Sequence, residues 1–334
     1  LSAPVEWRAG LGWNTEGEPV FAWEANLAEL SGGVLRGRVE GDARWTGGAS
    51  DAARVRWTAK GSNLAWRHLE DVTLAMRGES DVAATTVEEA TFAAGEGSRI
   101  EAHGRFVHAT RALERATLNA TVDGGLLAPW LPEETSVARV EAELQAAGAW
   151  TALVVDGVAR VANVEATGWA AETVDAKLSG VVGERLRADA TVKRGPARLV
   201  VLGEWTPAEW TLEEFSARRE DGAELRATRP ARLRGAAGTR EVELELAGPG
   251  ETRARVSWRE SEEAGVFIQN LDTAWARDWR SGEALPEVAL RRLSIAGRTG
   301  EGGALEGEGD FEIAGRVAND SAWARGAGRI GRDG

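Results

Sequence analysis

The 334-residue chain has no cysteine and no tyrosine, one methionine and three histidines. Without cysteine it has neither a disulfide framework nor thiolate metal sites. No stretch approaches the roughly 18 consecutive apolar residues that a membrane-crossing helix needs. The net charge is −13, from 53 acids and 40 bases. The bases are interleaved with acids instead of gathered into a stripe, which argues against a nucleic-acid partner. Long amphipathic helices are missing too. EANLAEL (24–30) and TAWARDWRSGEAL (273–285) have room for two or three turns each, and LLAPWLPEE (126–134) for a single helical turn bounded by Pro129 and Pro132.

Catalytic constellations are equally scarce. His103 and His108 lie five apart on one extended run, so they face opposite sides and share no metal. His68 precedes Glu70 and Asp71, an arrangement read as a surface ion pair. Glu88–Glu89, Glu133–Glu134 and the EVELE run at 241–245 read as solvated carboxylates, not as a calcium or glycosidase site. The glycine-rich turns lack the Lys-Ser/Thr and following helix of a phosphate loop, and there is no nucleophile elbow. The expectation is a protein with no catalytic residues, no cofactor and no metal.

What the chain does have is 41 glycines, 15 tryptophans and one persistent rhythm. In VLRGRVEGDARWTG (34–47), odd positions from Leu35 to Trp45 are apolar or small and even positions are charged. Side chains on a strand point alternately to two faces, so this is a strand with one dry and one wet face. The same alternation recurs along the chain, punctuated by turn signals at GG (47–48), GES (78–80), GEGS (95–98), DGG (123–125), EDG (220–222) and TGEGG (299–303). It predicts an antiparallel meander of roughly 20 to 25 strands.

The dry phase collects Leu35, Val39 and Trp45, then Val55 and Trp57, Leu74 and Met76, Ile100 and Phe106, and Leu118 and Val122. Further along it collects Leu178 and Val182, Leu199 and Val201, Leu225, Leu244 and Leu246, Val256 and Trp258, and Phe311 and Ile313. Trp205 falls on the same phase, whereas Trp130, Trp275 and Trp279 fall in loop-like segments. A weaker repeat overlies the alternation. HLEDVTLAMRG (68–78), ALERATLNATVDG (112–124), TLEEFSARREDG (211–222) and ALRRLSIAGRTG (289–300) each place an apolar residue three before the next, then alternate. That step of three predicts a bend or a bulge where each strand begins.

A dry face this long needs a cover, and there are too few helices to supply one. Many dry positions are Gly or Ala, among them Gly37, Gly41, Ala43, Ala59, Ala102, Gly104, Ala188, Ala190, Gly203, Gly307 and Gly309. Facing walls so thinly furnished leave a gap suited to an acyl chain. The same residues also fit tight interdigitation of large with small side chains, and both readings stand at this point.

Three stretches carry a resemblance to the TamB and AsmA-like family of Gram-negative envelope proteins. They are TVDGGLLAPWLPEE (121–134), FSARREDGAELRATRPARLRG (215–235) and VEEATFAAGEGSRIEAHGRF (87–106). The likeness spans roughly residues 30–320. It implies an all-β fold: a long, twisted, mostly antiparallel sheet curled into a U-shaped trough with an apolar interior and few short helices. Residues 1–33 would form N-terminal strands and a short helix, and 34–334 a continuous repeating β-groove.

The chain, beginning at Leu1, reads as a segment of a longer protein whose inner-membrane anchor lies elsewhere. The resemblance further implies a periplasmic location and a conduit for phospholipid, or another acyl-chain lipid, supporting outer-membrane assembly. It also implies partnership with an Omp85-type assembly barrel through parts outside this chain. An outer-membrane β-barrel and an array of β-sandwiches for adhesion or carbohydrate binding are the alternatives that the alternation also allows.

Overall fold

The computed structural model describes residues 7–13, 19–26, 35–46, 54–66, 69–236, 239–259, 263–280, 288–299, 305–317 and 320–330. The fold is all-β, with 23 strands among the described residues, and every described ladder is antiparallel. The chain divides into two units, Leu1–Val161 and Ala162–Gly334.

In the first unit the strands are β1 (Trp7–Trp13), β2 (Pro19–Asn26), β3 (Leu35–Thr46), β4 (Arg54–Trp66), β5 (Leu69–Ser80) and β6 (Ala84–Ala94). They continue as β7 (Ser98–Val107), β8 (Ala112–Asp123), the two-residue β9 (Thr135–Ser136) and β10 (Arg139–Ala149), with β11 (Ala152–Ala166) running through the dividing point. From β1 to β8 each strand pairs with its successor, and β8 then pairs with β10. Because β2 pairs with β3, the first strands belong to the same meander as those that follow. Glu24–Asn26 close β2 as strand, where a helix was expected; 27–30 lie outside the described residues, as does His68.

The second unit holds β12 (Trp169–Val181), β13 (Arg185–Arg194), β14 (Ala197–Trp205), β15 (Glu209–Arg218), β16 (Glu224–Ala227) and β17 (Ala231–Ala236). These lead into β18 (Thr239–Ala247), β19 (Arg253–Arg259), β20 (Glu263–Asp272), β21 (Val288–Thr299), β22 (Leu305–Val317) and β23 (Asp320–Ile330). β16 and β17 behave as one strand broken near Pro230, each pairing with β15 on one side and β18 on the other. Proline has no N–H to give a ladder, which explains the break.

Of the bend or bulge that the steps of three allow, the structure shows bulges. Leu69 and Val72 are both buried while Glu70 and Asp71 between them are exposed, with Asp71 at φ 53° and the β4–β5 register shifting there. In the other three copies the register shifts at Glu114, Glu213 and Arg291. Each bulge sends two consecutive side chains to the wet face and returns the next apolar residue to the dry one. Without it, every later side chain on the strand would change face.

Wet-face charges pair across strands, as in Arg38–Glu24, Arg105–Glu114, Lys193–Asp175 and Arg292–Asp310. These pairs are solvent-exposed, so each contributes roughly 0–1 kcal/mol and mainly penalises a slipped register.

The β5–β6 hairpin is tied by Asp81. The Ala84 and Ala83 amides donate to its carboxylate, holding its carboxyl below the usual aspartate range. A carboxylate stabilised in the folded state contributes above its unfolded pKa of about 3.9, and that contribution is lost as pH falls through the lower folded value. Acidification through that window should therefore lower the protection of the Ala83 and Ala84 amides, measured as exchange relative to the intrinsic rate at each pH. An Asp81→Asn variant should show a smaller change over the same window.

Candidate functional site: the dry face of the sheet

The cross-strand registers show how the dry face is assembled. In the first unit Ala25, Val39, Gly61, Leu74, Phe92, Ile100, Ala120 and Ala142 follow one another as register partners across β2 to β10. The next row is Trp23, Gly41, Ala59, Met76, Ala90, Ala102, Leu118 and Leu144. Trp57 pairs with Ala43 and Gly78, Trp45 with Val55, Phe106 with Leu113, Val122 with Val140, and Leu35 with Trp66. All eleven sequence-derived dry residues of this unit therefore share one face.

In the second unit Leu178 aligns through Ala188 with Gly203, Val201 with Ala190 and Phe215, and Leu199 through Ala217 with Leu225. Further along, Leu244 aligns with Val256, Trp258 with Val242, and Leu246 through Ala254 with Ile268; Phe311 pairs with Leu293 and Ile313 with Leu290. Val182 is the exception. It sits in the turn after β12 and is exposed.

Burial on this face runs opposite to that of a sandwich, where strand centres are covered from above. Several buried apolar residues of this face lie towards strand ends, as with Val72, Ala94, Val122 and Ala197, whereas Val39 is buried within β3. Mid-strand Met76, Leu118, Leu144, Val201, Phe215 and Val256 are only half-buried, and Phe311 is exposed.

On the first unit the open face forms a concavity of about 380 Å³ lined by Met76, Val87, Phe106, Leu113, Leu118 and Leu144, with Thr85 among its lining residues. Met76, Phe106 and Leu118 were identified from sequence, whereas Val87, Leu113 and Leu144 were not. The signal for two of the missed residues was there. Val87 opens VEEATF and Leu113 opens LERATL, the frame of a bulge.

The small residues have two distinct causes. A Cβ at Gly41 would lie 2.7 Å from the Trp23 ring, one at Gly78 2.6 Å from Trp57, and one at Gly326 2.7 Å from Phe311. These glycines are overlain by an aromatic from the neighbouring strand, so they are interdigitation along the face and not gaps in it. The second cause is close backbone approach, to Asn63 at Gly37 (φ 109°) and to Ala296 at Gly307, and it acts at Gly41 and Gly78 as well, where a Cβ would also meet the Thr58 and Thr86 carbonyl oxygens.

In each unit a long connection folds back over strand ends. After β8, Gly124–Leu127 forms a helical turn capped by Asp123 and Ala128–Trp130 a 3-10 turn, and Leu126 packs on Leu69, Val72 and Ala94. In the second unit, Thr273–Arg280 contains one helical turn, Ala274–Arg277, and 281–285, the rest of the stretch expected to be helical, lie outside the described residues. Trp279 is buried against Trp169, with ring centroids 5.8 Å apart. The Ala170 amide donates to the Trp279 carbonyl at 2.8 Å, and Arg194 to the Arg280 carbonyl at 2.5 Å.

Arg219 pairs with Asp272 at 3.4 Å and lies over the Trp275 ring. Arg219 follows β15 and Asp272 ends β20, four strand spacings away, or roughly 19 Å in a flat sheet. Arginine and aspartate cannot reach that far, so this sheet is curled at that end.

Several ionisable groups on the wet face meet in pairs. Glu243 and Glu245 meet Arg229 and Arg255. His103 lies beside the Thr117 hydroxyl on the wet face. Among the described residues no helix is long and apolar enough to cross a membrane. Comparison with protein families, curated proteins and solved structures returned no match. The TamB and AsmA-like resemblance therefore stays an expectation drawn from sequence rhythm.

Proposed function

We propose that this chain is a segment of a lipid conduit, in which the dry face takes up acyl chains and the charged face meets water. The observation that supports this is an apolar face on which mid-strand Met76, Leu118, Leu144, Val201, Phe215 and Val256 stay half-exposed. An acyl chain gains about 0.8 kcal/mol for each methylene fully removed from water, and less on an open face. Contact with hydrocarbon is non-directional, which suits passage of many lipids and needs no turnover chemistry. On this reading the protein works in the periplasm as part of an inner-membrane-anchored chain. It supplies phospholipid for outer-membrane assembly, with an Omp85-type barrel engaged by other parts.

Photo-crosslinking side chains introduced at Val39 or Ile313, on the dry face, should capture phospholipid in cells. The same probes at Arg38 or Glu312, one residue away on the wet face, should not. Equal capture on both faces, or capture on neither, overturns the proposal.

A further inference from the structure

The dry face of the first unit is not apolar throughout. At one margin of its concavity four side chains form a hydrogen-bonded row. The Trp57 indole N–H lies 3.1 Å from Ser80 Oγ, Ser80 Oγ 3.1 Å from Thr85 Oγ1, and Thr85 Oγ1 3.0 Å from His108 Nε2. His108 Nδ1 lies 3.3 Å from the Val82 carbonyl. Ser80, Thr85 and Phe106 are register partners on adjacent strands, so the row sits on the face that carries the apolar concavity, and Thr85 itself lines that concavity.

The end groups fix which way the protons point. A carbonyl only accepts, so His108 carries its proton on Nδ1 and donates it to Val82. Nε2 of the neutral ring is then an acceptor and takes the Thr85 hydroxyl proton. Thr85 in turn accepts from Ser80, and Ser80 accepts from Trp57, which can only donate. Every donor in the row is spent. Each hydroxyl oxygen keeps one unused lone pair, and Thr85 is a lining residue at the margin of the concavity.

We infer that the concavity is a subsite for single-chain amphiphiles whose head is a hydrogen-bond donor, a hydroxyl-bearing head of the monoacylglycerol kind. The tail lies over Met76, Phe106 and Leu118, and a head hydroxyl donates to Thr85 Oγ1. A carboxylate head brings only lone pairs to a row that has only lone pairs left, so it is disfavoured. This inference rests on the conduit reading and adds to it a preference among heads.

The test is titration of the full chain with monolaurin, laurate and methyl laurate. Monolaurin should bind about five- to tenfold more tightly than laurate, the worth of one neutral hydrogen bond together with the carboxylate's disadvantage. Thr85→Val should weaken monolaurin by a similar factor and leave methyl laurate unchanged. His108→Ala removes the acceptor of the Thr85 proton and frees that hydroxyl to donate, so laurate should gain and the preference should shrink. Ser80→Ala, which leaves the Thr85–His108 contact in place, should keep it.

If methyl laurate binds but no head preference is seen, or Thr85→Val weakens all three ligands alike, this inference fails and the conduit reading stands. If none of the three binds the unaltered chain, both fail.

Discussion

Gly78→Val should lower the melting temperature of the chain by on the order of 6–12 °C. A Cβ at this position would lie 2.2 Å from the Thr86 carbonyl oxygen and 2.6 Å from the Trp57 ring. The ring can rotate away, but the carbonyl belongs to the β5–β6 ladder, where Gly78 pairs with Val87 and Glu79 with Thr86. Relief therefore requires backbone movement, at a cost of about 3 kcal/mol, the upper part of the range for overpacking. For a unit of this size each kcal/mol is worth roughly 2–4 °C. Gly10→Ala is the matched control, because no atom lies within 4 Å of its added Cβ. It should leave the melting temperature within about 2 °C of the parent. Equal melting of the Gly78→Val variant and the parent would show that Trp57 does not lie over Gly78 and that the register at β5 is wrong.

Trp279→Ala should release the Thr273–Arg280 connection without unfolding the strands beneath it. The side chain is 5% exposed and stacks on Trp169, so its truncation removes about 3 kcal/mol of local packing. That corresponds to a roughly hundredfold rise in the local opening constant. Amide exchange should accelerate by that factor at Ala170, which donates to the Trp279 carbonyl, and at Glu220, which donates to Asp278. Exchange in the middle of β13 and β14 should not change. Uniform acceleration across the unit would instead make Trp279 part of a global core.

The bulge frames were the most legible feature of the sequence. Leu69-Glu70-Asp71-Val72 and Leu290-Arg291-Arg292-Leu293 both place two charges between apolar residues that must share a face. Only an inserted residue reconciles that spacing with a period of two. Gly61-Ser62-Asn63-Leu64 and Ile268-Gln269-Asn270-Leu271 repeat the geometry without charged pairs, with Asn63 at φ 49° and Asn270 at φ 52°. Asparagine tolerates that left-handed backbone better than branched residues do. These copies were legible in principle, but their polar residues are also common in turns. The glycines were harder to read. Gly41 and Gly104 look alike in sequence, yet Trp23 covers the first, whereas the second meets Ala116. Which aromatic stands opposite which glycine depends on register.

Alternation and punctuation by themselves determined that the protein is an antiparallel meander, most of the residues that form its apolar face and four places where its strands bulge. All three are local properties, set by a side-chain period of two and by the neighbours that interrupt it. Only the tertiary structure decided that Trp279 would close on Trp169, that Arg219 would meet Asp272, and that Trp57, Ser80, Thr85 and His108 would join in a row. Apart from Ser80–Thr85, which closes a hairpin, those contacts join residues more than 20 apart in the chain. They arise from the accumulated register and curl of several strands, which no short stretch of sequence encodes.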